Sequence, residues 1–362
     1  MEDYLVVGLG LAGIAFCETL ERNGKSFRVI DEDSRSASRI AGGLYNPVVL
    51  KRLNRAWKAD VQLPLVAPFY RALEQKLQRR FHFETPVFRR FSSIQEQNQW
   101  FAAADDPLLQ PYLASGVVPN RNQALDAPFG FGRVLGTGRV DTAALLSAYR
   151  GSLLSRGLLL QEQFDHGKLL IEPKSVAYGS VKASKIVFAT GSGMAMNPYF
   201  TYLPLQGNKG EYLEILAPAL GEERVVKASV FLIPLGGGRY SVGATYNWKD
   251  QSPGPTPDAR AYLEKKLADL LNCPYEVIGQ VAGIRPTVPD RRPLVGRHPQ
   301  YGNLFVLNGF GSRGVMTAPF AAQQLFEAAE GKGALDPEFN IDRFKSRYPV
   351  CGNPHRPQGR NG

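Results

Sequence analysis

Residues 5–13 read Leu-Val-Val-Gly-Leu-Gly-Leu-Ala-Gly, an apolar run that breaks into a G-x-G-x-x-G turn. A helical stretch carrying Ile14, Cys17 and Leu20 on its apolar side follows, and then a second short strand, Arg28-Val29-Ile30, that ends on Asp31. Each part of this βαβ unit has a mechanical task. Gly8 turns the chain sharply out of the strand, Gly10 leaves room for a pyrophosphate, and Gly13 lets the helix lie close to the sheet. The backbone N–H groups of Leu9, Leu11 and Ala12 then face the phosphates at the positive end of the helix dipole. Asp31, with Glu32 behind it, stands where an acid accepts ribose hydroxyls, and its charge repels a 2′-phosphate. The ligand expected is NAD or FAD rather than NADP.

A chain of 362 residues has room for two domains or one large interrupted one. Hydrophobic content of 44% and charged content of 21% are those of a soluble globular protein. No apolar run reaches the roughly 18 residues of a membrane span. No basic leader precedes the first strand, so the expected location is cytoplasmic. Cys17, Cys273 and Cys351 are odd in number and far apart, which argues against a disulfide framework or a thiolate metal site, and Cys17 reads as core. His82, His166, His298 and His355 have no ligand spacing, so no metal is expected. The net charge of +10 is concentrated at Lys51-Arg52, Arg55 and Lys58, at Arg79-Arg80, at Arg89-Arg90 and in the C-terminal tail. It fits either solubility and attraction of small acids or a nucleic-acid surface. No nucleic-acid module motif favours the second.

The remaining chain alternates between two patterns. Residues 34–50 read as a loop with a short helical piece. Residues 59–78 have helical spacing, and Pro64 and Pro68 predict a kink or two short helices. Residues 84–136 read as strands and loops. Asp141 is an N-cap for a helix whose apolar face is Leu145, Leu146, Tyr149, Leu153 and Leu154, with Gly157 ending it. Strands are expected at 158–164 and 185–191. Residues 203–283 are β-rich, with a Gly236-Gly237-Gly238 hairpin turn and an amphipathic helix over 258–271. A last helix is expected from about Thr317 to Ala329, before a frayed tail.

Several segments together resemble one family. They are Gly8–Gly13 with Asp31, Phe231-Leu232-Ile233-Pro234 followed by Gly238–Thr245, Ala282-Gly283-Ile284-Arg285-Pro286-Thr287-Val288-Pro289-Asp290, and Asn303–Gly309 followed by Gly311, Gly314 and Ala318-Pro319. In order and spacing the chain resembles the D-amino-acid oxidase, glycine oxidase and sarcosine oxidase group of FAD-dependent oxidoreductases. Gly311-Ser312-Arg313-Gly314 with Ala318-Pro319, and more weakly Gly43–Pro47, also resemble the C-terminal oxidase domain of the bifunctional tRNA wobble-uridine methylaminomethyl biosynthesis enzyme. The methyltransferase domain of that enzyme has no counterpart here.

The resemblance implies an α/β (mixed α+β) fold, with a Rossmann-like FAD-binding domain (1–80, 137–200, 283–345), a discontinuous, mostly antiparallel β-sheet substrate domain (81–136, 201–282) and a tail (346–362). It implies FAD between the two domains, held non-covalently because no cysteine lies between Pro286 and Ala322. Ser38, Arg39, Gly42 and Gly43 fall where the family's first long loop passes the pyrophosphate and ring. Phe164 matches a position that contacts adenine through its backbone, and Thr190-Gly191 ends a strand beside the cofactor. Gly309, Gly311, Ser312, Gly314, Val315 and Met316 form the closing loop, whose helix points its positive end at the flavin.

Arg285 is held extended before Pro286, and in the family the matching arginine binds the substrate carboxylate. From residue chemistry alone, an ion pair with Asp290 is an equal alternative. Tyr246 is either a pocket residue or a core aromatic. Arg313 lies either beside the flavin, or an acidic substrate arm, or in a surface ion pair. The implied reaction is hydride transfer from the carbon beside a neutral amine to flavin N5, giving an imine that hydrolyses, with no histidine base. The partner implied is a small amino acid or N-substituted glycine. The alternatives are a carboxymethyl group on tRNA, or a flavin-binding assembly protein without turnover.

Overall fold

The computed structural model describes residues 1–33 and 36–348. The tail expected at 346–362 therefore lies mostly outside the described residues, as do Cys351 and His355.

An eight-stranded sheet is organised around Glu2–Val7, which pairs in parallel with Phe27–Ile30 on one side and Val181–Phe188 on the other. Leu159–Leu160 extends it in parallel beyond Phe27–Ile30, and Leu304–Asn308 pairs in parallel with Val181–Phe188. Tyr4–Val7, Ile186–Phe188 and Leu304–Asn308 are buried along their whole length, as expected of parallel strands covered on both faces. One face packs on the helices Leu11–Arg22, Ala59–Leu77, Thr142–Ser155 and Gly314–Ala329. The other packs on Tyr199 and Phe200. Beyond Val181–Phe188 the sheet continues through the antiparallel strands Ser175–Tyr178 and Leu169–Glu172.

The second eight-stranded sheet runs Glu276–Thr287, Gln206–Leu216, Arg239–Gly243, Phe231–Gly236, Val225–Lys227, Val87–Arg90, Phe131–Val134 and Leu113–Val118. Its pairs are antiparallel except for Val225–Lys227 with Val87–Arg90. The triple-glycine hairpin turn is present, with positive φ at Gly236, Gly237 and Gly238.

Four local expectations are corrected. Of the two outcomes expected at Pro64 and Pro68, two short helices do not form: Ala59–Leu77 is one continuous helix. Its buried face (Val66, Phe69, Tyr70, Leu73) packs on the last helix, and the Tyr70 hydroxyl donates to the Val315 carbonyl at 2.9 Å. That packing outweighs the two missing N–H donors. Ile94–Ala104 is a helix where only strands and loops were expected. Ser93 Oγ accepts from the Glu96 N–H, and the Glu96 carboxylate accepts from the Ser92 N–H, a variant of the capping box. The strand expected over 158–164 is limited to Leu159–Leu160, because only those residues find a partner. The last helix begins at Gly314, three residues earlier than expected. Asp141 is the expected N-cap, accepting from the Ala144 N–H. The amphipathic helix runs Pro257–Ala268 and is capped by Thr256.

The first turn is set by close backbone approach. A Cβ on Gly13 would meet the Gly8 carbonyl oxygen well inside contact distance, and one on Gly8, where φ is 97°, would sit 2.6 Å from the Ala189 carbonyl oxygen. Neither neighbour is a side chain that moves cheaply. Gly13→Ala is expected to cost about 1–3 kcal/mol through overpacking, read as a lower melting temperature with loss of bound flavin.

Candidate active site

A cavity of about 760 Å³ opens between the C-terminal ends of the parallel strands and one face of the antiparallel sheet. Its first wall is the G-x-G-x-x-G turn. Gly10 is the N-cap of Leu11–Arg22 and, having no side chain, caps nothing itself. Ser38 Oγ accepts from the Leu11 N–H at 3.2 Å, bringing the Ala37–Ile40 helix over the turn. Asp31 Oδ2 accepts from the Leu9 N–H at 2.8 Å, and Oδ1 accepts from the Asp33 N–H at 3.0 Å and from Arg150 Nη1 at 2.6 Å. The acid thus fixes the shape of the turn as well as facing the cavity, and buried Arg150 balances its charge.

Of the expected cofactor residues, Gly8, Leu9, Gly10, Leu11, Ala12, Asp31, Glu32, Ser38, Gly42, Gly43, Phe164, Thr190, Gly191, Gly311, Ser312, Arg313, Gly314, Val315 and Met316 all line this cavity. Gly13, Arg39 and Gly309 do not. Gly13 serves the helix–turn packing. Arg39 is turned to Asp33 at 2.6 Å. A Cβ on Gly309 would meet Val288 and Leu294, so this position packs against the core.

Arg285 and Tyr246 line the same cavity. Arg285 is 8% exposed, and Nη1 donates to Asn208 Oδ1 at 2.9 Å and to the Thr245 carbonyl at 3.2 Å. Its guanidinium lies over Gly210, where any Cβ would collide with it. The Tyr246 ring centroid is 4.6 Å from the guanidinium carbon. Among the described residues no carboxylate is within ion-pair distance of Arg285. Asp290, the partner considered above, pairs with Arg343 at 2.9 Å. Tyr246 is 65% exposed, so it is not a core aromatic. The loop that carries it is tied down by fully buried Lys209, whose Nζ donates to Asp250 at 2.6 Å and to Ser252 at 2.7 Å. This bonding pulls the Asp250 carboxyl down to about 2.

Arg313 is half-buried at the N-cap of Gly314–Ala329 and has no carboxylate partner among the described residues, which removes the surface ion pair as its role. Burial, and then Arg291, push its pKa below the usual arginine value. The earlier helix start sets Gly314, Val315 and Met316 at the cavity wall; the Met316 N–H donates to the Arg313 carbonyl at 3.1 Å, and the N–H groups left for a ligand are those of Gly314 and Val315.

Sequence reading missed Arg150 and much of the sheet wall: Tyr45, Tyr212, Phe231, Ile233 and Lys227. Alternation along the strands held the signal for the last four, since Tyr212 shares a face with Gly210, and Phe231 with Ile233. Lys227 is half-buried, and burial, with Arg89 and Lys51 nearby, pushes its ammonium down to about 8.

A family described as FAD dependent oxidoreductase matches residues 3–328. The chain belongs to that family. It is 25% identical over 361 residues to a glycine oxidase of Pseudomonas aeruginosa, covering 91% of this chain and 95% of the relative. It is 29% identical over 182 residues to the tRNA 5-methylaminomethyl-2-thiouridine biosynthesis bifunctional protein of Idiomarina loihiensis, covering 45% of this chain and 29% of that protein. The fold matches the crystal structure of glycine oxidase from Geobacillus kaustophilus with a TM-score of 0.75 and 19% identity, over 95% of this chain and 97% of that one.

The chain is therefore an FAD-dependent oxidoreductase of the amino-acid oxidase type, and its cavity fits the cofactor. Thr190 Oγ1 and His166 Nε2 are buried at the cavity wall without hydrogen-bond partners among the described residues, and a ligand with ribose and ring nitrogens would satisfy them. Burial holds His166 below its ordinary pKa, so it is neutral and able to accept as well as donate. No helix of the described residues is long and apolar enough to cross a membrane.

Neither described cysteine lines the cavity. Acid precipitation is expected to leave a colourless pellet and a yellow supernatant. Arg150→Met strands Asp31 without its cation and is expected to weaken FAD binding by about 2 kcal/mol, roughly thirtyfold in dissociation constant measured by flavin fluorescence.

Proposed function

We propose that this chain oxidises the C–N bond of a small amino acid or an N-substituted glycine. The observation that carries the reading is the Arg285 guanidinium, which is buried at the cavity wall, fixed by the sheet, and balanced by no protein acid among the described residues. Nη1 is committed to Asn208 and Thr245, while Nη2 has no hydrogen-bond partner among the described residues and is available to a substrate carboxylate. Bound FAD supplies the hydride acceptor for the carbon beside a neutral amine. Arg285 fixes where that carbon lies, Tyr246 covers one side of the guanidinium, and the Tyr212, Phe231 and Ile233 side chains keep water from the rest of the wall. The oxidised product, an imine, hydrolyses to a carbonyl compound and an amine.

A second reading is removal of a carboxymethyl group from a modified tRNA uridine. It draws support from Tyr246, which is 65% exposed beside Arg285 and Arg313, an aromatic and basic surface suited to an unstacked base.

Anaerobic addition of glycine, sarcosine, D-amino acids, N-carboxymethyl amines or undermodified tRNA, followed by loss of the yellow flavin band, separates the readings. Bleaching by a small amine is expected. Bleaching by tRNA alone overturns the first reading. Arg285→Ala is expected to lower kcat/KM about a hundredfold or more with FAD content unchanged. Loss of FAD with unaltered substrate preference contradicts the role given to this residue.

A further inference from the structure

We propose that the cavity contains a second anion-binding subsite, formed by Lys227 and Lys51, and that the substrate is an N-substituted glycine whose far end carries another acid group, a carboxylate or a phosphate. The inference rests on the reading of Arg285 as the first carboxylate anchor.

The register of the antiparallel sheet sets the arrangement. Tyr212, Gly243, Phe231 and Lys227 are successive partners on one rung of four adjacent strands. Cross-strand partners share a face, and Tyr212, Phe231 and Lys227 all line the cavity. The Lys227 ammonium sits 4.7 Å from the centre of the Phe231 ring and donates to the Ser229 carbonyl at 3.0 Å. Lys51, from the turn between Val48–Val49 and Asn54–Arg55, lines the same end. Neither lysine has a carboxylate within ion-pair distance among the described residues. Arg89, the register partner of Lys227, already has its acid: it pairs with Glu96 at 3.0 Å.

A half-buried ammonium with a second lysine and an arginine as neighbours is unfavourable unless something negative joins it. An apolar residue would cover the wall at less cost. The depressed pKa of Lys227 has the same cause, and an anion in the cavity would reverse it.

Geometry limits the ligand. Arg285 covers Gly210, two residues along the strand from Tyr212. Phe231, whose ring carries the lysine, is two strands away from Tyr212. With strands about 4.8 Å apart and residues rising about 3.4 Å, the two cationic groups are separated by on the order of 12 Å. Glycine or sarcosine spans only the Arg285 end. The wall between the anchors is Tyr212, Ile233 and Phe231, which suits an apolar chain or a flat ring as the spacer.

The test uses the holoenzyme and thioether analogues, in which sulfur replaces the amine nitrogen so that they bind without being oxidised. Alkylthioacetates ending in methyl, carboxylate or phosphate are titrated against the visible flavin spectrum. At pH 7 the acid-ended ligands are expected to bind about tenfold tighter than the methyl-ended one. Lys227→Gln is expected to reduce that ratio to about one, and Lys227→Arg to keep it. The ratio should also fall as pH rises through about 8 in the wild type, where Lys227 loses its proton, but not in Lys227→Arg. Lys51 and Arg89 are the other charged groups facing this lysine, and Arg89 is itself paired with Glu96.

Equal affinity of the three ligands, or a ratio that survives Lys227→Gln, overturns the subsite. If the ratio holds but no matching amine bleaches the flavin, the proposed reaction fails and the subsite stands. If amines bleach the flavin and the ratio is one, the reverse follows. Displacement of the phosphate-ended ligand by an anticodon stem-loop RNA, in the wild type but not in Lys227→Gln, assigns the anion to a nucleic-acid backbone. Failure to displace assigns it to a free small molecule.

Discussion

A buried positive charge without a protein counterion is the constraint around which the site is built. The Arg285 guanidinium is held by a side-chain amide, a backbone carbonyl and an aromatic ring, all of which orient it without neutralising it. Supporting features follow from that requirement. Gly210 lacks a side chain because the guanidinium occupies its space. Lys209, next to Gly210 but on the opposite face of the strand Gln206–Leu216, is matched with Asp250 and Glu211. Asp290 is drawn away by Arg343.

The cofactor wall follows the opposite rule. There the acid comes from the protein, and Asp31 is satisfied by two backbone N–H groups and Arg150 before any ligand arrives. The turn is pre-shaped, which lowers the ordering cost of binding. Of the two walls, the nucleotide cradle is polar, closed and built from backbone, while the sheet wall is built from side chains. In the proposed function, chemical selectivity resides in the sheet, where substitutions alter recognition without disturbing the turn.

Much of this was legible in the amino-acid sequence because it depends on short-range patterns. The glycine turn with its acid, the Asp141 cap, the triple-glycine hairpin and the closing glycine loop are each contained within a few residues, and of the twenty-two cofactor residues expected from the turn, the closing loop and the family resemblance, nineteen line the cavity. What escaped depends on distant partners. Arg150 is 119 residues from Asp31, and nothing near it in sequence announces that pairing. Pro64 and Pro68 break helices by local rules, but the face they interrupt is held by a helix 245 residues away. Ser93 and Glu96 were a local signal that went unread, because the surrounding Pro, Asn and Gly residues pointed to loops. Lys227 gave only a faint hint, a lone charge at the end of a β-branched run.

The pairing of Glu2–Val7 has a consequence for how the chain is made. One edge of that strand is met early, by Phe27–Ile30, but the other waits for Val181–Phe188. At ordinary rates of synthesis this leaves an apolar Leu-Val-Val edge open for roughly ten to forty seconds. An unpaired edge of that kind is a template for association with another nascent chain. The burden on chaperones during translation thus falls on the same residues that later shape the nucleotide turn.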